Sequence, residues 1–313
     1  MESLLQDRRL VYVTGKGGVG KTTVATALGL AAAQAGRRTI VCEVAEQDRV
    51  SRALGREGVT AETEVQLADN LWAITIDPSR ALQEWLAKQL GGGAPLRMMT
   101  RSHAFQYFVA AAPGAKELIT IAKVWELAQL SRWDARNRIY DLVVVDAPAS
   151  GHGLAMLTTP RTFGEIARVG PIRRQAGKIS ALLGDGERTA YVAVALPEEM
   201  PVVETLELGR KLPEVVGLGL DAVVVNGVWP ERFSAADARR LRAVAEADGH
   251  DAAGASLVRA ALEERERAVA QRGLVKRLER ESGAAVVTLP FLFATELGLP
   301  EYSELAGSLS EAL

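Results

Sequence analysis

The stretch that decides the fold lies near the start of the chain and reads Val13-Thr14-Gly15-Lys16-Gly17-Gly18-Val19-Gly20-Lys21-Thr22-Thr23. It fits the pattern G-x-x-x-x-G-K-[ST] of a phosphate-binding loop and adds a second lysine directly after the first glycine. The backbone N–H groups of such a loop point at phosphate oxygens, helped by the positive end of the following helix. Glycine is needed because a side chain would block this approach.

The residues around this loop support the same interpretation. Residues 9–14 have the pattern of a short buried strand, and residues 23–35 that of an alanine-rich helix. In this setting we expect Lys21 to reach the β- and γ-phosphates and the Thr22 hydroxyl to bind Mg²⁺. The predicted nucleotide contacts of the loop are Gly15, Lys16, Gly17, Gly18, Val19, Gly20, Lys21, Thr22 and Thr23.

A dinucleotide site is the alternative that uses the same glycines. Gly15, Gly17 and Gly20 also fit G-x-G-x-x-G, and Glu43 lies near the position of a ribose-binding acid. A site for pyrophosphate alone does not need a lysine and a threonine after the last glycine. The sequence therefore favours a nucleoside triphosphate.

Two acidic residues follow other predicted strands. Asp146 ends the apolar run of residues 140–146, where an enzyme with this loop keeps the carboxylate that holds Mg²⁺. Residues 147–153 are small and suit a loop that senses the γ-phosphate. Glu43 ends an earlier run, and its carboxylate could orient or deprotonate the attacking water. We thus predict Lys21, Glu43 and Asp146 as catalytic residues and Thr22 and Asp146 as metal ligands.

The base of the nucleotide has two further candidate contacts. Asn226 ends a valine run and carries an amide that suits an adenine edge. Pro290 ends a later apolar run and could form an apolar wall for the ring.

Short apolar runs alternate with helical segments through the chain, which predicts a mostly parallel sheet covered on both faces, an α/β doubly wound fold. Residues 1–313 are expected to form one domain of this kind. Residues 78–138 are too long for a single crossover helix, so we expect a helical insertion there, with methionine and aromatic residues at 96–108. The predicted strands are Leu10–Thr14, Thr39–Glu43, Leu71–Ile76, Asp141–Asp146, Tyr191–Ala195, Ala222–Asn226 and Ala285–Leu289.

Composition narrows the possible partners. The 313 residues carry a net charge of −2, so no broad positive field attracts nucleic acid. No apolar run has the length needed to span a bilayer, and residues 1–9 are too polar for a signal peptide, which predicts a cytoplasmic protein without stable membrane insertion. The one cysteine, Cys42, excludes a disulfide within the chain.

The loop with its extra lysine, together with Asp146-Ala147-Pro148-Ala149-Ser150-Gly151-His152, resembles the arsenite-pump ATPases and the ATPases that target tail-anchored membrane proteins. Further matches are residues 112–118, residues 196–200 with Glu204-Thr205, Val225-Asn226 and Leu289-Pro290. The chain is most similar to the short bacterial, actinobacterial-type members. The resemblance implies a P-loop NTPase fold with ATP and Mg²⁺ as ligands. It also implies a homodimer, or a heterodimer with a paralogue, in which Lys16 acts as a catalytic residue on the partner's phosphates.

The resemblance also implies a client surface. Helices at 78–138 and about 158–183 would form an apolar subdomain that changes shape with the nucleotide. The leading hypothesis is a dimeric ATPase switch that binds a hydrophobic or membrane-protein client. The alternatives are an ATPase subunit that energises an anion transporter, a positioning or partition ATPase, and the dinucleotide enzyme.

The chain departs from the family pattern in three ways. Glu43-Val44-Ala45-Glu46 stands where the family has Asp-Pro-Ala-His, the cysteines that bind arsenite are missing, and the chain carries one ATPase unit.

Overall fold

An eight-stranded sheet forms the centre of the computed structural model, which describes residues 4–44, 49–55, 63–90, 114–246 and 252–312. Within these residues the strand order is β3-β4-β2-β5-β1-β6-β7-β8, and each neighbouring pair is parallel except β3 and β4. The strands are β1 (Leu10–Gly15), β2 (Thr39–Glu43), β3 (Val65–Ala68), β4 (Leu71–Thr75), β5 (Leu142–Asp146), β6 (Thr189–Ala195), β7 (Ala222–Val228) and β8 (Ala285–Pro290).

The strands β1, β2, β4, β5 and β6 bury both of their faces, which explains their apolar sequences. In β1, Val11 and Val13 face one core cluster, while Leu10 and Tyr12 face the other. The predicted α/β fold with a mostly parallel, doubly wound sheet is therefore confirmed.

Helices cover each face of this sheet. α2 and α11 pack on the first face, and α5, α7 and α8 contribute to clusters on the second. No helix in the described part of the chain is long and apolar enough to cross a membrane. The helices are α1 (Leu4–Asp7), α2 (Lys21–Gln34), α3 (Arg49–Ala53), α4 (Pro78–Leu90), α5 (Ala115–Leu127), α6 (Ser150–Ile166), α7 (Pro171–Leu183), α8 (Glu199–Val216), α9 (Ala235–Glu246), α10 (Ala252–Glu281) and α11 (Leu299–Ala312).

The edge strand β3 was not predicted from the sequence. It pairs antiparallel with β4 through a turn at Asp69 and Asn70. Asn70 has a φ of 57°, a left-handed conformation that asparagine tolerates better than most residues. The signal that could have revealed this strand is the Asp-Asn pair between two short apolar segments.

The region predicted as a helical insertion contains α4 and α5. α5 packs directly on the sheet, because Ile121, Val124 and Leu127 are buried in the same cluster as Leu10 and Tyr12. The methionine and aromatic segment at 96–108 lies outside the described residues. The division into a core and a subdomain at 78–138 and about 158–183 stays a prediction.

A buried group of charges ties α5 to the sheet edge. The Arg132 guanidinium lies 2.5 Å from a carboxylate oxygen of Glu126 and 2.5 Å from one of Glu64. Lys123 lies 3.1 Å from Glu126 and 2.6 Å from Glu84 on α4. Burial alone would raise the pKa of Glu126, but the hydrogen bond from Arg132 and the charge of Lys123 bring that pKa below its ordinary value.

We expect Arg132→Met to destabilise the fold strongly, because it leaves Glu126 buried without its main partner. Breaking a buried pair in this way costs about 3–5 kcal/mol. The measurement is the free energy of unfolding in urea.

Arg136→Met is the matched control, since Arg136 pairs with Asp134 but its side chain is 90% exposed. Its effect should stay within about 1 kcal/mol. Equal stability of the two variants would contradict the assigned role of the buried charges.

Candidate nucleotide site

The loop between β1 and α2 has a backbone that only glycine fits at two positions. Gly15 has a φ of +146°, and a Cβ there would lie 2.3 Å from the Val194 carbonyl oxygen. Gly20 has a φ of +91°, and its Cβ would lie 2.2 Å from the Asn226 amide nitrogen. Gly17 has open space around it, so its side of the loop is free to receive a ligand.

Thr22 and Asp146 meet at the carboxyl edge of the sheet. The Thr22 hydroxyl donates a hydrogen bond of 2.6 Å to the Asp146 carboxylate. β1 and β5 are neighbours, and Val13 pairs with Asp146, which brings the two side chains together. Burial raises the pKa of Asp146, while the Thr22 hydroxyl and the Lys21 charge oppose that rise.

This pair of oxygen donors fits Mg²⁺, a hard cation that is usually bound by one or two carboxylates together with substrate phosphates. Thr22 and Asp146 would hold the ion, which would neutralise charge on the phosphates when bound. The described residues contain no group of three or more His, Cys, Asp or Glu placed to hold a metal. A site completed by phosphate oxygens does not need such a group.

The two lysines of the loop contact different groups. Lys21 Nζ donates to the Lys16 carbonyl oxygen at 2.8 Å, and burial lowers the pKa of Lys21. Lys16 Nζ lies 2.6 Å from Glu204 Oε1 on α8 of the same chain. The sequence pointed to Glu204 as a family match but not as a partner of Lys16. The role of Lys16 across a dimer stays a prediction.

Glu43 lies beside Asp146, because β2 and β5 pair these two residues in register. Its side chain is buried, and Oε1 accepts a hydrogen bond of 2.7 Å from the backbone N–H of Arg49, where α3 begins. Glu43 therefore holds the start of α3 next to the site. Its action on water stays a prediction, and Glu46 lies outside the described residues.

The predicted base contacts lie on neighbouring strands. Asn226 on β7 donates its amide N–H to the Val19 carbonyl oxygen at 3.0 Å, so this side chain supports the loop directly. Pro290 ends β8 opposite Val228. Contacts of Asn226 and Pro290 with a base stay predictions.

Sequence reasoning missed two tyrosines that hold the site in place. The Tyr12 hydroxyl donates to the Gly153 carbonyl oxygen at 3.0 Å and so ties the start of α6 to the sheet. Tyr302 on α11 is buried in the same core cluster as Val19 of the loop and Val24 of α2, and so packs behind the loop. No local motif marks such contacts, because each partner is distant in sequence.

A glycine-rich loop before a helix, with a lysine, a threonine and a strand-end aspartate around it, defines a P-loop nucleotide hydrolase. Residues 8–178 match the family described as Anion-transporting ATPase, and the chain belongs to this family. The resemblance drawn from the motifs is confirmed, and the protein is an ATPase.

The relatives found by sequence comparison carry ATPase names. ATPase BagA of Mycobacterium tuberculosis is 31% identical over 240 residues, which cover 75% of this chain and 69% of that protein. ATPase GET3 of Chaetomium globosum is 25% identical over 265 residues, with 72% and 75% covered. A Halobacterium salinarum protein described as an arsenical pump-driving ATPase is 27% identical over 240 residues, with 73% and 37% covered. Family membership favours ATP over a dinucleotide as the ligand of the loop.

We expect Gly15→Ala to destabilise the nucleotide-free protein. The Cβ would meet the Val194 carbonyl, and the φ of +146° would be strained, at a cost of about 1–3 kcal/mol for the strain alone. The measurement is the midpoint of urea unfolding without nucleotide.

Gly17→Ala is the control, because Gly17 is in the same loop but has no atom within 4 Å of an added Cβ and no left-handed φ. It should change the free energy of unfolding by less than about 1 kcal/mol. Similar midpoints for both variants would show that the loop backbone differs from the one described.

Proposed function

We propose that this ATPase is a dimeric switch that couples its nucleotide state to the binding of a hydrophobic or membrane-protein client. The observation that carries the client part is an apolar cavity of about 280 Å³ between α4, α5, α6 and α7. Leu82 and Trp85 of α4, Leu118 of α5 and Phe163 of α6 are among its lining residues. Concave apolar sites of this kind are the usual binding sites for apolar ligands.

The surface next to the cavity is also apolar. Ile172 lines the cavity and is exposed, and Ile166 and Val169 lie just before it at the α6–α7 connection, with Val169 83% exposed. A group of exposed apolar residues beside a cavity is a feature of interaction sites. A client helix could lie along this surface and place side chains in the cavity.

Two cavity walls connect to the nucleotide site. α6 begins at Ser150, directly after the loop that follows Asp146. Lys116 and Thr120 near the start of α5 line a crevice. The same crevice is lined by Pro148, which lies in the loop after Asp146, and by His152, which lies in the first turn of α6. A loop that rearranges on hydrolysis would therefore move elements that line the cavity.

The dimer part of the proposal concerns Lys16. Its ammonium group is held by Glu204 in the single chain and would leave this partner to reach the phosphates bound to a second copy or a paralogue. A cation supplied in trans stabilises charge in the transition state and makes hydrolysis depend on dimer closure.

The alternative of thiol-based metalloid handling lacks support. Cys42 is the only cysteine of the chain, and it is buried in the core. Burial raises the pKa of this thiol well above its ordinary value, so it stays protonated. We therefore make no proposal for an arsenite-binding role.

We expect Lys21→Ala to abolish ATP binding, and Lys16→Ala to keep most of the binding but lose hydrolysis. The reason is that Lys21 contacts phosphates in its own chain, whereas Lys16 acts across the dimer. Nucleotide binding and single-turnover hydrolysis measured on the same preparations separate the two effects.

Lys211→Ala is the control, because Lys211 is an exposed lysine on α8. Its turnover should equal that of the wild type. Hydrolysis at the wild-type rate by Lys16→Ala would refute the action in trans.

We expect a labelled transmembrane peptide to bind differently in the ATP and ADP states, and Val169→Asp to weaken that binding. A charge in the apolar surface opposes burial of an apolar helix. Fluorescence anisotropy with each nucleotide measures both effects.

Leu257→Asp is the matched control, since Leu257 on α10 is 72% exposed but distant in sequence from the cavity helices. It should leave peptide binding unchanged. Equal binding in every nucleotide state would remove the client part of the proposal.

A further inference from the structure

The apolar cavity continues into a second space of different chemistry. A crevice of about 660 Å³ shares Trp133 and Gln175 with the cavity, so the two spaces adjoin at these residues. Helices α4, α5 and α7 each contribute residues to both spaces.

The crevice is basic. Lys88, Lys178, Arg188 and Arg132 line it, and none of its described lining residues is an aspartate or glutamate. Arg132 is neutralised by Glu126 and Glu64. Within the described residues, the other three cations have no carboxylate within ion-pair distance, so they give the crevice a positive potential.

Two hydrogen-bond donors in the cavity lining lack a partner among the described residues. The Trp85 indole nitrogen and the Gln175 side-chain amide nitrogen are both buried and make no hydrogen bond there. A buried donor without a hydrogen-bond partner lowers the stability of the folded protein, so each such group needs an explanation. Gln175 lies where the cavity meets the crevice, and an acceptor atom placed at this junction would satisfy it.

The cavity is small for a protein ligand. Its volume of about 280 Å³ is close to the lower end of small-molecule sites, which have about 300–1,000 Å³. A helix that spans a membrane is about 30 Å long and about 10 Å wide, so it could lie against the cavity but not inside it. A flexible hydrocarbon chain is the apolar group that fits within.

We infer that the cavity and the basic crevice together form a site for a fatty acid, with the acyl chain among α4, α5, α6 and α7 and the carboxylate at the junction. There the carboxylate would accept from Gln175 and face Lys88 and Lys178. This inference deepens the proposed function, because it gives the hydrophobic client site a small amphiphilic ligand. It does not depend on nucleotide or on a dimer.

Calorimetric titration of the nucleotide-free full chain with octanoate, decanoate and dodecanoate tests the acyl part. We expect binding to tighten by up to about fourfold for each added methylene group until the cavity is filled. Ala122→Phe and Ala176→Leu both add volume to the lining of the cavity and should reduce dodecanoate affinity at least tenfold. Thermal unfolding checks that each variant is folded. If one variant does not fold, the other still tests the inference.

Comparison of dodecanoate with dodecanol tests the carboxylate part. We expect dodecanoate to bind about tenfold more tightly, because its charge adds a stronger hydrogen bond and attraction to the lysines. The double variant Lys88→Gln, Lys178→Gln should lose roughly fivefold in dodecanoate affinity and none in dodecanol affinity. Lys276→Gln, an exposed lysine on α10, is the control and should change neither.

The outcomes separate this inference from the proposed function. Affinity without chain-length dependence, or unaffected by both cavity variants, would overturn the acyl site. Equal affinity of the acid and the alcohol would overturn the carboxylate position. Dodecanoate could bind as expected while the affinity for the transmembrane peptide is the same in the ATP and ADP states. That result would support the fatty-acid site and contradict the proposed switch.

Discussion

The parallel pairing of β1 with β5 is the constraint on which the site depends. Thr22 and Asp146 are separated by 124 positions in sequence, yet their side chains hydrogen-bond at 2.6 Å. This contact exists because β1 and β5 are neighbours and their carboxyl ends meet at one edge of the sheet. β2 lies on the other side of β5 and brings Glu43 next to Asp146. Ligands of open α/β sheets bind at this edge, and the order of three strands therefore assembles the candidate site.

The sequence predicted what local patterns encode. Seven strands were predicted because each contains a short apolar run, and several of these runs are unbroken, as is typical of strands buried on both faces. The phosphate loop was predicted because its backbone demands glycine. β3 was missed because it is a short edge strand with little burial, as Gln66 shows by its exposure. The pairing of Lys16 with Glu204 was also missed. Contacts between side chains far apart in sequence leave no local signal, so only the fold reveals them.

The buried charges on α5 give the apolar cavity one fixed wall. Trp133 lines the cavity, and its backbone N–H donates to Glu126 at 3.0 Å. Ala122 also lines the cavity and precedes Lys123, whose charge is held by Glu84 and Glu126. Charges in a low-dielectric interior hold their partners in one geometry, because separating them leaves an unpaired ion. The wall formed by α5 and the following loop is therefore anchored to α4 and to Glu64, near the edge of the sheet.

The opposite wall has a different attachment. α6 and α7 contribute Phe163 and Ile172 to the cavity, and α6 starts from the loop after Asp146. A ligand in the cavity would lie between the wall formed by α5 and the wall formed by α6 and α7. Its binding can depend on the nucleotide only if the protein binds it with different affinity in two positions of α6. By the same linkage, the ligand would change nucleotide affinity by the same factor. In the proposed switch, Phe163 is the residue that would contribute to this linkage most directly, since it lies on α6 and close to Gly114, where α5 begins. In the proposed switch, the connection between the phosphate site and the cavity would pass through the packing of α6 against the start of α5.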